Sequence, residues 1–164
     1  MTGDWDVEFI EGGPEFPSRL QTKELKSWSA LSGDAEKLRS FSGTARYRIR
    51  FEAPKEKGDS WLINLGAVCH SAKLRLNGQD LGTLLAPPYQ IAVDDLKGQN
   101  DLEIEVSNLM ANRIAAMDRR KQPWQKFYFV NLQYKPFDAS GWEPMPSGLL
   151  GPVTVQPIRR LKPR

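Results

Sequence analysis

Residues 69–108 read CHSAKLRLNGQDLGTLLAPPYQIAVDDLKGQNDLEIEVSN, and the alternation in this stretch decides the fold. Leu74 and Leu76 alternate with Lys73, Arg75 and Asn77, which gives one apolar face and one wet face, the period of a half-buried strand. Asn77-Gly78 follows at once. That pair suits a two-residue hairpin, because both central positions of the favoured turn need positive φ. Leu81 and Leu84 fall on the return strand, which Pro87-Pro88 ends, since neither proline can donate to a sheet ladder. Tyr89, Ile91 and Val93 alternate again. Beyond the turn Lys97-Gly98-Gln99-Asn100, Leu102, Ile104 and Val106 point one way and Glu103 and Glu105 the other. Such pieces build an antiparallel β-sandwich.

The flanks extend the pattern. Trp5, Val7 and Phe9 alternate with Asp4, Asp6 and Glu8, and Gly12-Gly13-Pro14 stops that strand. Ala45, Tyr47, Ile49 and Phe51 share one side of a strand, with Arg46, Arg48 and Arg50 on the other. Three arginines on a wet face could form an anion site, but more often such residues pair with carboxylates of a neighbouring strand, and Glu103 and Glu105 are the candidates. Trp61, Ile63 and Leu65 form the inward face of the next strand, closed by Gly66. Leu149, Val153 and Val155 are the inward residues of a last one. Residues 15–42 are irregular, with Trp28, Leu31, Leu38 and Phe41 set among polar residues and room for a short helical turn. Leu109 to Arg120 has helical composition. From Lys121 to Gly148 no period survives, yet aromatic residues are dense, so the segment is expected to be packed rather than a linker. Strands at short spacing with many Gly and Pro turns give an all-β class: a jelly-roll sandwich with a short helical segment and one long irregular aromatic-rich connection.

Composition bounds the function. At 164 residues the chain is expected to be one domain, 1–164, able to bury a core without staples. With 23 basic and 20 acidic residues interspersed, the net charge of +3 is no nucleic-acid footprint. The clusters Arg119-Arg120-Lys121 and Arg159 to Arg164 read as a solvated turn and a frayed tail. No apolar run is long enough to cross a bilayer, and the N-terminus lacks the basic-then-apolar order of a leader. One cysteine excludes an internal disulfide.

Catalytic chemistry is hard to place. His70, the only histidine, adjoins Cys69, the only cysteine, and strand neighbours point to opposite faces, which argues against a dyad. These counts allow no zinc-ligand set. Glycoside hydrolysis needs two carboxylates held about 5–9 Å apart. Asp94-Asp95 opens a turn, however, and Glu103 and Glu105 alternate with core residues. No catalytic residue and no cofactor is therefore assigned. Calcium on loop oxygens suits sandwich domains in general, but no calcium-loop motif is present. Carbohydrate recognition needs flat aromatic faces and a few planar polar groups. Tyr89, Trp124, Tyr134 and Trp142 lie outside the clear strands, and Asn108, Asn112 and Arg113 supply forked donors nearby. These seven are the candidates for binding carbohydrate or for docking on another domain.

Five strings occur in order: FSGTARYRIRF (41–51), WLINLGAV (61–68), AKLRLNGQDLGTLLAPPYQIAV (72–93), NDLEIEVSNLMANRI (100–114) and PSGLLGPVTV (146–155). Together they resemble the sugar-binding-type β-sandwich domain of glycoside hydrolases. The resemblance is greatest to the C-terminal part of family 106, the α-L-rhamnosidases, and looser to family 2. The family's Asn-Leu-x-x-Asn-Arg stretch is matched by Asn108, Leu109, Asn112 and Arg113. The resemblance implies a galactose-binding-like jelly roll in a parent that is periplasmic or extracellular. The catalytic carboxylates would lie in a separate barrel, so this chain alone would not be an enzyme. Its expected partners are that catalytic domain, carbohydrate, or both, with no nucleic acid and no membrane. Two further readings stand beside this one: an autonomous carbohydrate-binding module that stacks sugar on Tyr89, Trp124 or Trp142, and a complete small enzyme. The docking reading predicts an exposed apolar patch near residues 109–147.

Overall fold

The computed structural model describes residues 1–56, 58–124 and 137–159. Among the described residues, eleven strands form the sandwich: β1 (Trp5–Gly13), β2 (Leu20–Thr22), β3 (Ser42–Glu52), β4 (Ser60–Asn64), β5 (Ala67–Cys69), β6 (Ser71–Leu76), β7 (Gln79–Leu84), β8 (Gln90–Val93), β9 (Gln99–Ser107), β10 (Gly148–Gly151) and β11 (Thr154–Ile158). Helix α1 (Ala35–Ser40) precedes β3, and helix α2 (Ala111–Arg119) follows β9. One layer is a six-stranded sheet in the order β2-β1-β3-β9-β6-β7. The other comprises β11-β4-β8 and the pair β10-β5, and all the strand pairs are antiparallel. The core lies between the layers. Val7, Tyr47, Leu74, Ile104 and Val106 from the first layer meet Ile63, Leu65, Val68 and Leu149 from the second in one buried cluster.

The alternation seen in the sequence is the alternation of burial. In β9, Leu102, Ile104 and Val106 are buried, as are Ala45, Tyr47 and Ile49 in β3. The hairpin β6–β7 turns at Asn77 and Gly78, with φ of 52° and 83°, both in the left-handed region that an Asn-Gly turn uses. A one-residue bulge at Leu81 then shifts the register of β7.

On the outer face of the large sheet the arginines meet carboxylates. Arg46 reaches Glu105 at 2.7 Å, while Arg48 and Arg75 both reach Glu103, at 2.9 and 3.0 Å. Arg50 pairs with Asp101, a partner the sequence reading did not name, at 2.8 Å. Burial pushes the Glu103 carboxyl up, but hydrogen bonds from Arg48 and Arg75 outweigh it, and the group stays below its ordinary range. Each exposed pair is worth only ~0–1 kcal/mol. This face is a matched charge ladder, not an anion site.

Residues 15–42 hold more structure than their sequence suggests. A 3-10 turn at Trp28–Ala30 comes before α1, and the three-residue strand β2 pairs with the start of β1. A three-residue strand is too short to show a period, which is why it escapes a reading based on alternation. Trp28, Leu31, Leu38 and Phe41 are all buried.

Candidate functional site

Helix α2 carries the features from which a site can be built. Its Ala, Arg and Met residues are good helix formers. Ala115 and Ala116, small and buried, let the helix lie close to α1. The helix ends where Lys121 turns to φ 53°.

At the root of α2 two candidate asparagines act as a pair. Asn108 accepts from the Gly43 N–H at 2.8 Å, and its Nδ2 donates to the Phe41 carbonyl and to Ser147 Oγ, at 3.0 and 3.2 Å. Asn112, 5% exposed, donates to the Met145 carbonyl at 2.8 Å and to Ser147 Oγ at 3.1 Å, and accepts from the Met145 N–H at 2.8 Å. Both amides are directed inward. They converge on Ser147 and staple residues 145–147 to the helix. The Arg113 guanidinium lies along the end of β1, so that a Cβ on Gly13 would stand 3.3 Å from its Nη1.

Tyr89 is 8% exposed and belongs to the core cluster. Its hydroxyl donates to the His70 carbonyl at 2.6 Å, and the His70 N–H donates to the Ser107 carbonyl at 2.7 Å. The Pro87-Pro88-Tyr89 corner is thus tied to the end of β9, beside Asn108, and Tyr89 offers no open ring face. Burial pushes the neighbouring Cys69 thiol up, away from the reactive thiolate.

The aromatic candidates gather at the other end of α2. Trp124 Nε1 donates to Asp118 Oδ1 at 2.6 Å, and Asp118 Oδ2 accepts from the Ala139 N–H at 2.7 Å. Phe137 stands edge-to-face with Trp124 at 5.9 Å and with Trp142 at 5.6 Å. Arg119 Nη1 donates to the carbonyls of Ser140 and Trp142, at 3.2 and 3.3 Å. The last turn of α2 therefore holds the segment that carries Trp142. Tyr134 lies outside the described residues, as do the other aromatic residues of the connection, Phe127, Tyr128 and Phe129.

Between α1, α2 and residues 140–144 lies an open cleft of about 1100 Å³, lined by Glu36, Arg39, Arg119, Arg120, Trp142 and Glu143 among others. Arg120 is paired with Glu36 at 2.6 Å. No local signal in the sequence marks Arg39, and Arg119 reads there as part of a solvated turn. The two residues are 80 positions apart, and only the packing of α1 on α2 brings them together.

Exposed apolar surface is concentrated around α2. Of seven large exposed apolar side chains among the described residues, five fall between 109 and 145: Leu109, Met110, Phe137, Trp142 and Met145. Leu109 and Met110, 51% and 53% exposed, sit at the N-terminal end of the helix, and Met145 is bonded there through Asn112. Phe137 and Trp142 stand at the C-terminal end, by the cleft.

No family model matches the chain. It is 36% identical over 185 residues to a Formosa agariphila protein named "Putative beta-glucuronidase", an alignment that covers 94% of this chain and 15% of that protein. The rhamnosidase from Novosphingobium sp. PP1Y superposes with a TM-score of 0.73 at 28% identity, over 94% of this chain and 14% of that one. The β-glucuronidase of Bifidobacterium dentium shares the fold, with a TM-score of 0.52 at 24% identity, over 65% of this chain and 19% of that one. The sandwich is therefore of the galactose-binding-like kind found within glycoside hydrolases. The chain spans about one seventh of the length of the Formosa relative and of the Novosphingobium rhamnosidase.

Proposed function

We propose that this chain is a non-catalytic accessory β-sandwich of a glycoside hydrolase, and that it packs on a catalytic barrel carried elsewhere in the parent protein. The observation that carries the reading is the exposed apolar group Leu109, Met110 and Met145 at one end of α2. Such a patch, rich in Met and Leu and held in place by the inward-directed amides of Asn108 and Asn112, suits an interface between domains of one chain. Asn108 and Asn112 then act as positioning residues. By stapling residues 145–147 to the helix, they fix the shape of the patch without touching sugar.

The pairing of several carboxylates with arginines supports a non-catalytic role. Glu103, Glu105 and Asp101 are engaged by arginines on the outer sheet face, and Glu36 by Arg120. Inverting hydrolysis needs one carboxyl group as general acid and one as general base, and retaining hydrolysis needs one as acid and base and a second, ionised one as nucleophile, all placed across a bound sugar. An α-L-rhamnosidase is the parent favoured by the five strings and by the Novosphingobium match. A sandwich can serve more than one chemistry, so the sugar acted on is set by the barrel.

The test is calorimetric titration of this chain into the separately expressed catalytic portion of its own parent. Saturable binding is expected. The double variant Leu109→Asp, Met110→Asp should weaken it by about tenfold or more, the effect of losing a buried apolar anchor. Both side chains are about half exposed, so the variant should keep the wild-type unfolding midpoint. Binding that the variant leaves unchanged, or no binding by either form, would remove the basis of the proposal.

A further inference from the structure

We infer that the cleft between α1 and α2 binds an oligosaccharide bearing an acidic group, with Trp142 as the stacking platform and Arg39 and Arg119 as the anion contacts. The inference is independent of the docking surface, which lies at the opposite end of α2. Four observations meet in the cleft.

The first is a fixed aromatic face. Trp142 is 43% exposed and lines the cleft. Its position is set on three sides. Phe137 stands perpendicular to its ring at 5.6 Å, its N–H donates to the Ala139 carbonyl at 3.0 Å, and its carbonyl accepts from Arg119. Asp118 holds the same segment through the Ala139 N–H. A half-exposed tryptophan held this firmly loses little freedom when a sugar ring lays its C–H face on the indole.

The second is positive charge without full compensation. The cleft is lined by Arg39, Arg119 and Arg120 against Glu36 and Glu143. Arg120 and Glu36 neutralise each other at 2.6 Å. Among the described residues, Arg39 meets no carboxylate within ion-pair distance, while its neighbour on α1, Lys37, is taken by Glu15 at 3.3 Å. Arg119 uses one nitrogen on two carbonyls, and its other donors remain for a ligand. A guanidinium fork matches a carboxylate or a sulfate with two parallel hydrogen bonds.

The third is an acceptor for sugar hydroxyls, Glu143, in the residue next to the platform. The fourth is size. At about 1100 Å³ the cleft exceeds what one sugar ring fills and has room for two or three. The five charged side chains that line it, Glu36, Arg39, Arg119, Arg120 and Glu143, argue against an apolar helix from another protein as the occupant.

The test uses the whole chain and three trisaccharides of matched length: a galacturonic acid trimer (carboxylate), a sulfated galactose trimer (sulfate) and cellotriose (neutral). Binding is read by calorimetry and by the tryptophan indole signals in a nuclear magnetic resonance titration. At least one acidic trimer is expected to saturate with Kd of about 1 mM or tighter, and cellotriose to bind at least about tenfold more weakly. Which acidic trimer binds identifies the source of the charge. Trp142→Ala should abolish binding and Arg39→Gln should weaken it about tenfold, while Arg50→Gln, on the outer face of the large sheet, should change nothing. All three sites are exposed, and unchanged unfolding midpoints will confirm intact folds. The proposal is overturned if neither acidic trimer binds at 10-fold above that Kd, if cellotriose binds as well as they do, or if Arg39→Gln binds as the wild type does.

Discussion

Replacing Trp28 with alanine is expected to destabilise the isolated chain by about 3–5 kcal/mol, the usual loss for a buried tryptophan. Trp28 is fully buried under the sandwich, edge-to-face with Phe9 at 5.4 Å and with Phe41 at 5.7 Å. Its indole N–H donates to the Tyr47 hydroxyl at 2.6 Å, and its backbone N–H donates to the Ser147 carbonyl at 3.0 Å. One residue thus joins the irregular segment, β3 and the approach to β10. Burial pushes the Tyr47 phenol up to about 12, so it stays protonated and works here as a hydrogen-bonding group. Urea unfolding separates the contributions. Trp28→Phe keeps most of the packing but removes the bond to Tyr47, and should cost about 1–3 kcal/mol. For a chain of this size, Trp28→Ala should lower the thermal midpoint by about 10 °C or more. A loss below about 1 kcal/mol would mean that Trp28 does not hold these layers together.

Gly148→Ala is the second large effect. Gly148 opens β10 at φ 91°, paired with Cys69 of β5. A Cβ there would lie 2.2 Å from Trp28 Nε1 and 2.6 Å from the Tyr47 hydroxyl. Backbone strain contributes about 1–3 kcal/mol, and displacing two packed aromatic side chains a similar amount, so a loss of about 2–6 kcal/mol is expected. Gly141→Ala is the control. Nothing lies within 4 Å of its Cβ position, and its change should stay within about 0.5 kcal/mol. Equal midpoints for the two variants would contradict the close approach of β10 to the Trp28–Tyr47 pair.

The strands were legible because period-two burial is a local property. Tyr47, Ile104 and Leu74 declare their face through their immediate neighbours, and Arg46 and Glu105 declare the other. The Asn77-Gly78 turn was legible because few residue pairs suit it. The candidate site was less so, because direction and partnership are tertiary. Tyr89 follows two prolines and has the look of a loop aromatic, yet its hydroxyl reaches back 19 positions to His70. The spacing of Asn108 and Asn112 marks them as a pair on one side of a helix start, but nothing local shows that both turn inward to Ser147. Arg39 and Arg119 had no shared signal at all. The expectation of apolar surface near residues 109–147 follows from the docking reading and not from any local period, and Leu109, Met110 and Met145 lie there, exposed.

The central claim is that the N-terminal end of α2 is covered in the parent protein. The amides of that end are suited to report it. Ile114 is the first residue whose N–H is bonded inside the helix, to the Met110 carbonyl at 2.9 Å, so the amides of residues 111–113 lie outside the helical ladder. Hydrogen exchange of this chain alone, compared with the same segment in the intact parent, reads their cover directly. Docking predicts exchange slowed about tenfold or more at residues 109–113 in the parent, with the edge strand β7 unchanged. Equal exchange at residues 109–113 in the two proteins would contradict the account.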